Sequence, residues 1–245
     1  MEFSIQARGL TKTFGTKRAV DDLTLDIKDG ELFALLGVNG AGKTTTIKML
    51  TGLTQPASGD ALLLGDSITK DASHAKAHNG ISPQETAVAR NLTVLENLAL
   101  MAQVYGADRK AAAAKAKETA QQLGLTEAAK AKAKTLSGGM QRRLSIGMAL
   151  ISGPKILFLD EPTLGLDVIA RRELWTFVLK LKGRVTILLT THYLEEVIAL
   201  SDRVGVMANG RLTAVGTVAE LIARTGANSF EDAFIALATE TEEIA

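Results

Sequence analysis

The chain has 245 residues, 46% hydrophobic and 4% aromatic, with a formal net charge of +1 and no cysteine. That length suits one α/β domain carrying an insertion, and its core must be built from Leu, Ile, Val and Ala. The near-neutral balance argues against direct nucleic-acid binding, and the missing cysteines exclude disulfides, thiolate metal sites and thiol catalysis. The opening MEFSIQARGL has no basic region followed by an apolar run, so no signal peptide is read there. The longest apolar runs, such as Ala34 to Leu36 and Ile156 to Leu159, fall far short of the roughly 18 residues that a membrane helix needs. Work at a membrane would therefore need another chain to supply the membrane part.

The elements follow from periodicity. Phe3 to Ala7 and Leu23 to Ile27 alternate as strands, and a turn follows at Asp29-Gly30. Glu31 to Leu36 is an apolar run that ends in a glycine-rich loop, and Thr44 to Leu50 reads as a helix, which makes a strand–loop–helix unit. The character changes between Leu92 and Thr135. Thr93-Val-Leu-Glu96 has capping-box form, and Val94, Leu95, Leu98, Met101 and Val104 recur at helical spacing. Arg109 to Leu125 is rich in strong helix formers, and its Lys-rich continuation reads as solvated helix faces. Beyond Ser137 the α/β pattern returns. Ile156 to Leu159 and Val185 to Leu189 are short, fully apolar runs of the kind that a parallel sheet buries on both faces. Phe230 to Ala245 reads as a short amphipathic helix with an acidic tail.

Three motifs carry chemistry. Gly37-Val-Asn-Gly-Ala-Gly-Lys43-Thr44 matches G-x-x-x-x-G-K-[ST]. Glycines let the backbone turn its N–H groups toward phosphate oxygens, and the helix that follows adds its N-terminus. Lys43 reaches the β- and γ-phosphates, and Thr44 offers a hydroxyl to Mg²⁺. Ile156 to Glu161 is an apolar strand ending in two carboxylates. Asp160 would hold Mg²⁺ through water at the strand end, where ligands collect in open α/β sheets, and Glu161 can accept a proton from an attacking water. Leu136-Ser-Gly-Gly-Met-Gln141 then precedes a helical run, Arg142 to Ile151, and makes a second helix start suited to phosphate. With two such starts in one chain, the economical reading is that the second serves the nucleotide of a partner chain.

These residues, in this order, closely resemble the motif set of the ABC ATPases, and the resemblance runs from about residue 3 to residue 220. It implies an α/β fold: a P-loop NTPase core with a parallel sheet, an N-terminal antiparallel β part and an α-helical insertion. It divides the chain into a catalytic core (1–84 and 136–225), the helical insertion (85–135) and a C-terminal helical tail (226–245). Phe14 resembles the aromatic that stacks on adenine, and Gln84 the glutamine that senses Mg²⁺ and the attacking water. Asp167, in Leu164-Gly-Leu-Asp167, resembles the loop that communicates across a dimer, and His192 the histidine on the γ-phosphate. The implied nucleotide contacts also take in Asn39, Gly40, Ala41, Gly42 and Thr45 of the loop, and Ser137, Gly138, Gly139 and Gln141 of the second motif. Glu161, His192, Gln84 and Lys43 form the implied catalytic set; Thr44, Gln84 and Asp160 form the implied metal set. Val38 and Val218 stand where many relatives have proline, at positions where little effect is expected.

The resemblance further implies ATP and Mg²⁺ as ligands and a head-to-tail pair of ATPase chains, most simply a homodimer. It implies a separate polytopic membrane subunit and a cytoplasmic, peripheral location at the inner face of the membrane. Ser229 to Leu237 resembles the tail of bacterial exporter ATPases whose membrane subunits are separate chains. The competing function is a non-transport ABC ATPase in DNA repair, chromosome maintenance or translation. Such relatives carry long coiled coils or two ATPase halves, whereas this sequence shows no sustained heptads and a single phosphate loop. A phosphate-loop kinase would have no need of Leu136 to Gln141.

Overall fold

The computed structural model describes residues 2–239. It opens with a ribbon of two long antiparallel strands, β1 (Phe3–Phe14) and β2 (Lys17–Lys28), joined by a two-residue turn at Gly15 and Thr16. β3 (Leu32–Leu36) runs fully buried into the glycine-rich loop, and α1 (Lys43–Leu50) leaves it. β4 (Ser58–Leu63) returns to pair with β1, and the short β5 (Asp66–Ser67) pairs with β4. The result is an antiparallel sheet in the order β2-β1-β4-β5.

After α2 (Ala72–Ala77) comes β6 (Asn79–Ser82), and then the helical stretch. α3 (Val94–Val104) starts with a complete capping box: Thr93 Oγ1 accepts from Glu96 N–H, and Glu96 accepts from Thr93 N–H. α4 (Arg109–Gln122) buries only Ala112, Ala116 and Ala120, so a stripe of small residues faces its neighbours while its Lys residues stay in water. α5 (Gly138–Leu150) is shared between layers. Leu144 and Met148 join the core of the helical stretch with Val94, Leu98 and Leu123. Ile146 and Ala149 of the same helix pack on the sheet.

The remainder alternates strand and helix: β7 (Ile156–Asp160), α6 (Val168–Leu179), β8 (Thr186–Thr191), α7 (Leu194–Leu200), β9 (Arg203–Ala208), β10 (Arg211–Gly216), α8 (Val218–Thr225) and α9 (Phe230–Thr239). Together with β3 and β6 these strands form a second sheet, ordered β10-β9-β3-β8-β7-β6. Every pairing in it is parallel except the β9–β10 hairpin at one edge. β3, β7 and β8 are buried at every position, as their unbroken apolar runs require of strands covered on both faces. One core lies between the two sheets and around α1; two others cover the opposite face of the parallel sheet. The helical reading of the C-terminal stretch holds over Phe230–Thr239, and its acidic end, 240–245, lies outside the described residues. No described helix is long and apolar enough to cross a membrane.

Two ion pairs help tie the sheets: Arg211 of β10 with Asp21 of β2 at the surface, and a more buried pair, Arg203 with Glu31. Arg203 at the start of β9 donates to both oxygens of the buried Glu31 at 2.7 and 3.0 Å, and its Nη2 also donates to the Asp26 carbonyl of β2 at 2.8 Å. Arg203→Ala would leave Glu31 buried without its cation. Because Arg203 is itself partly exposed, the expected loss is about 2–3 kcal/mol, below the range for a fully buried pair. Urea denaturation of wild type and variant measures it.

Candidate active site

Parallel strands with a common direction end at a common edge. β3, β7 and β8 therefore deliver the phosphate loop, the Asp160-Glu161 pair and His192 to the same place. A cavity of roughly 510 Å³ opens there. Phe14, Asn39, Gly40, Gly42, Lys43, Thr44, Thr45, Gln84, Glu161 and His192 all line it. Ala41 is buried beneath the loop, held between Val38 and Gly210 by backbone hydrogen bonds. Lys17, Ala19 and Leu164 complete the lining and were not singled out from the sequence. Phe14 and Lys17 are direct partners across the β1–β2 hairpin, so the pattern could have shown Lys17 had the hairpin turn been placed.

The loop is tight for physical reasons. Gly42 has φ +110, and a Cβ there would lie 2.5 Å from the Ala19 carbonyl oxygen; at Gly37 it would lie 2.4 Å from that of Met207. Gly42 caps α1 without a side-chain hydrogen bond, so the first-turn N–H groups have no intrahelical acceptor and face the cavity. Gly40, with φ +83, would find open space around a Cβ. The result is a bare backbone cradle for an anion.

The charged groups form one chain. Lys43 Nζ donates to the carbonyls of Gly37 (2.7 Å) and Val38 (3.2 Å) and lies 3.3 Å from Glu161 Oε1. Glu161 Oε2 accepts from His192 Nδ1 at 2.9 Å. Glu161 has φ +46, a left-handed conformation that costs a non-glycine residue about 1–2 kcal/mol. The strain is held by its backbone N–H, which donates to the Thr190 carbonyl and hydroxyl oxygens, both at 3.1 Å. Asp160 does not line the cavity but lies directly behind it. Its Oδ1 accepts from Thr44 Oγ1 at 3.0 Å and from Thr190 Oγ1 at 2.6 Å. Thr190 thus holds the Asp160 carboxylate and the Glu161 backbone; in sequence it is one more threonine in an apolar strand.

Arg142 was also invisible to motif reading. It is buried in α5, and burial pushes its guanidinium below the usual arginine range. It donates to the carbonyls of Pro83 (2.7 Å) and Gln84 (2.6 Å). The helix of the second motif therefore grips the backbone that carries Gln84.

Ser137, Gly138, Gly139, Gln141 and Asp167 do not line the cavity. Ser137 caps α5, accepting from Met140 N–H at 3.3 Å, and Asp167 caps α6, accepting from Ile169 and Ala170 at 2.9 Å. The two helix starts touch each other: a Cβ at Gly139 would lie 2.9 Å from that of Ala170. Gln141 turns back to donate to the Leu136 carbonyl at 3.0 Å.

The family described as ABC transporter matches residues 20–164. The linearmycin resistance ATP-binding protein LnrL of Bacillus subtilis is 42% identical over 226 residues, covering 92% of this chain and 73% of that protein. The chain belongs to the ABC transporter family. It is an ATP-binding component of that family and an ATPase. Another ABC transporter relative, the human phospholipid-transporting ATPase ABCA3, is 43% identical over 227 residues, yet this chain spans only 13% of its length. The solved structure titled "Structure of ATP binding subunit of ABC transporter" superposes with a TM-score of 0.83 at 27% identity, over 95% of this chain and 98% of that one.

At Gly37 and Gly42 the loop leaves no room for an added methyl group. Gly42→Ala is expected to weaken ATP binding about tenfold or more, because the loop must move away from Ala19 to accept the Cβ. Equilibrium binding of a fluorescent ATP analogue checks this.

Proposed function

We propose that this chain works as one half of a head-to-tail pair of ATPase chains, hydrolysing Mg-ATP between them to drive export through a separate polytopic membrane subunit. One observation carries the pairing. The chain has two helix starts suited to phosphate, and only one lines its own cavity. The α5 start, with Ser137 and Gly138 exposed, fits the nucleotide held by a second copy. A homodimer is the simplest arrangement, since one chain carries both halves of such a site.

In this reading the adenine stacks on Phe14, which is 55% exposed at the end of β1. The loop amides, Lys43 and Thr45 take the phosphates. The hydroxyl of Thr44 and the carboxylate of Asp160 are hard oxygen donors, as Mg²⁺ prefers. Among the described residues no three His, Cys, Asp or Glu cluster as a metal site, so the ion would take its other ligands from phosphate and water. Bound there, Mg²⁺ would neutralise charge on the β- and γ-phosphates. Gln84 lies across the cavity, where it can report that the ion and the water are in place.

Lys43 rests on two carbonyls and on Glu161. Phosphate oxygens are stronger partners for an ammonium than carbonyls are, so ATP would draw Lys43 away and leave Glu161 to His192. Glu161 then accepts a proton from water as its oxygen attacks the γ-phosphorus; the bond to the β-phosphate oxygen breaks and ADP leaves with both electrons. His192 Nδ1–H fixes the orientation of the carboxylate during this step. Because the γ-phosphate would contact both chains, its loss would open the pair.

Support for export comes from two sources. LnrL is named for resistance to linearmycin, and the Ser229 to Leu237 segment resembles the tail of bacterial exporter ATPases. The helical stretch leaves Leu100, Val104 and Tyr105 exposed, an apolar surface fit for a membrane subunit. A cytoplasmic position, peripheral at the inner membrane face, follows from that docking.

Glu161→Gln is expected to lower turnover about a hundredfold or more and to trap an ATP-dependent dimer. Steady-state ATPase assays and size-exclusion chromatography with ATP check both. A variant that turns over at the normal rate would overturn the assignment. Thr190→Val removes the hydroxyl behind Asp160 at nearly constant volume. The Mg²⁺ concentration for half-maximal activity should rise about tenfold, as for lost support behind a metal ligand.

A further inference from the structure

Close to the hydrolytic groups lies a further buried acid that the mechanism above does not use. Glu196, on α7 and four residues beyond His192, is fully buried. Its Oε1 accepts from Trp175 Nε1 of α6 at 3.1 Å. The hydroxyls of Thr191 and Thr163 and the guanidinium of Arg171 surround the same carboxyl. Three buried atoms there, Glu196 Oε2, Thr163 Oγ1 and Arg171 Nε, have no hydrogen-bond partner among the described residues. Buried polar groups are almost always paired, so these three atoms single out this junction beside the active site.

The neighbours locate the acid at a junction. Thr191 directly precedes His192. Thr163 belongs to the turn after Glu161: Leu164 N–H donates to the Glu161 carbonyl at 3.2 Å, and Leu166 N–H donates to that of Thr163 at 3.1 Å. Arg171 and Trp175 lie on α6, the helix that Asp167 caps, and Arg171 also stacks on Tyr193, 4.8 Å from the ring centre. We propose that Glu196 is a positioning residue of the ATPase: its carboxyl joins the His192 turn to the 162–167 loop and to α6, so that His192 and Asp167 are set together. This rests on the reading of Glu161 and His192 as the hydrolytic pair. Burial raises the Glu196 carboxyl above the usual range, opposed by the nearby Thr191 hydroxyl, the Trp175 indole, the Thr163 hydroxyl and Arg171. The neutral acid so favoured can donate from Oε2 as well as accept at Oε1.

Glutamine reproduces a neutral acid, with one acceptor and a donor; alanine removes both. Glu196→Gln is therefore expected to keep kcat within about twofold, while Glu196→Ala loses about tenfold or more in kcat with KM for ATP nearly unchanged, the mark of a misplaced catalytic group. Trp175→Phe removes only the indole donor and should lower kcat in the same selective way, which keeps the test decisive if the alanine variant does not fold. Trp175 is the one tryptophan of the chain, so its emission reports the junction directly. In Glu161→Gln protein its emission should shift when Mg-ATP is added, and Glu196→Ala should abolish the shift. Normal kcat in Glu196→Ala, or in Trp175→Phe where the alanine variant fails to fold, would overturn the proposal. So would an emission that ignores ATP in Glu161→Gln protein. If Glu161→Gln itself hydrolysed ATP normally, the failure would lie in the hydrolytic reading and not in the junction.

Discussion

The parallel alignment of β3, β8 and β7 is the constraint on which the site depends. Each of these strands ends in residues that mean little in isolation: a glycine loop, two acids, a histidine. Pairing in one direction brings the three ends to one sheet edge, where right-handed crossovers put the following helices below and leave the loops free above. Burial of all three strands on both faces fixes their register, because a slip of one residue would turn Leu and Ile positions out of both covering cores. The antiparallel sheet adds the Phe14 hairpin from the side and is held to this frame through Glu31 and Arg203.

Electrostatics in the site oppose a relaxed chain. Lys43 and Glu161 are both buried, and Glu161 sits in a left-handed backbone conformation. Two buried opposite charges compensate each other only while they stay close. Lys43 and Glu161 lie 3.3 Å apart. Under the proposed mechanism, a phosphate that drew the lysine away would uncover the carboxylate, and one ammonium group would link binding to activation.

The helical stretch is joined to this frame by α5. That helix faces the α3–α4 layer with Leu144 and Met148 and the parallel sheet with Ile146 and Ala149. From its first turns Arg142 grips the carbonyls beside Gln84. Any tilt of the helical layer would move Ser137 and Gln84 together. The same economy marks the far side of the site, where Glu196 lies among groups from the His192 turn, the 162–167 loop and α6.

The sequence by itself determined the strand–loop–helix unit, the buried character of β3, β7 and β8, the α3 capping box and nearly every residue that lines the cavity. These were legible because each is written in local terms: a spacing, an unbroken apolar run, or a cap three residues from its partner. The long reach of β1 and β2 was less clear, since bulged pairing breaks simple alternation. Only the tertiary structure decided what depends on contacts between distant segments. Thr190 became the support of the Asp160 carboxylate and the Glu161 backbone, Arg142 the holder of the Gln84 backbone, and Glu196 a buried acid between α6 and α7. Nothing in a single threonine, arginine or glutamate announces such a role. It arises when folding removes water and leaves each polar group only the partners that the chain brings to it.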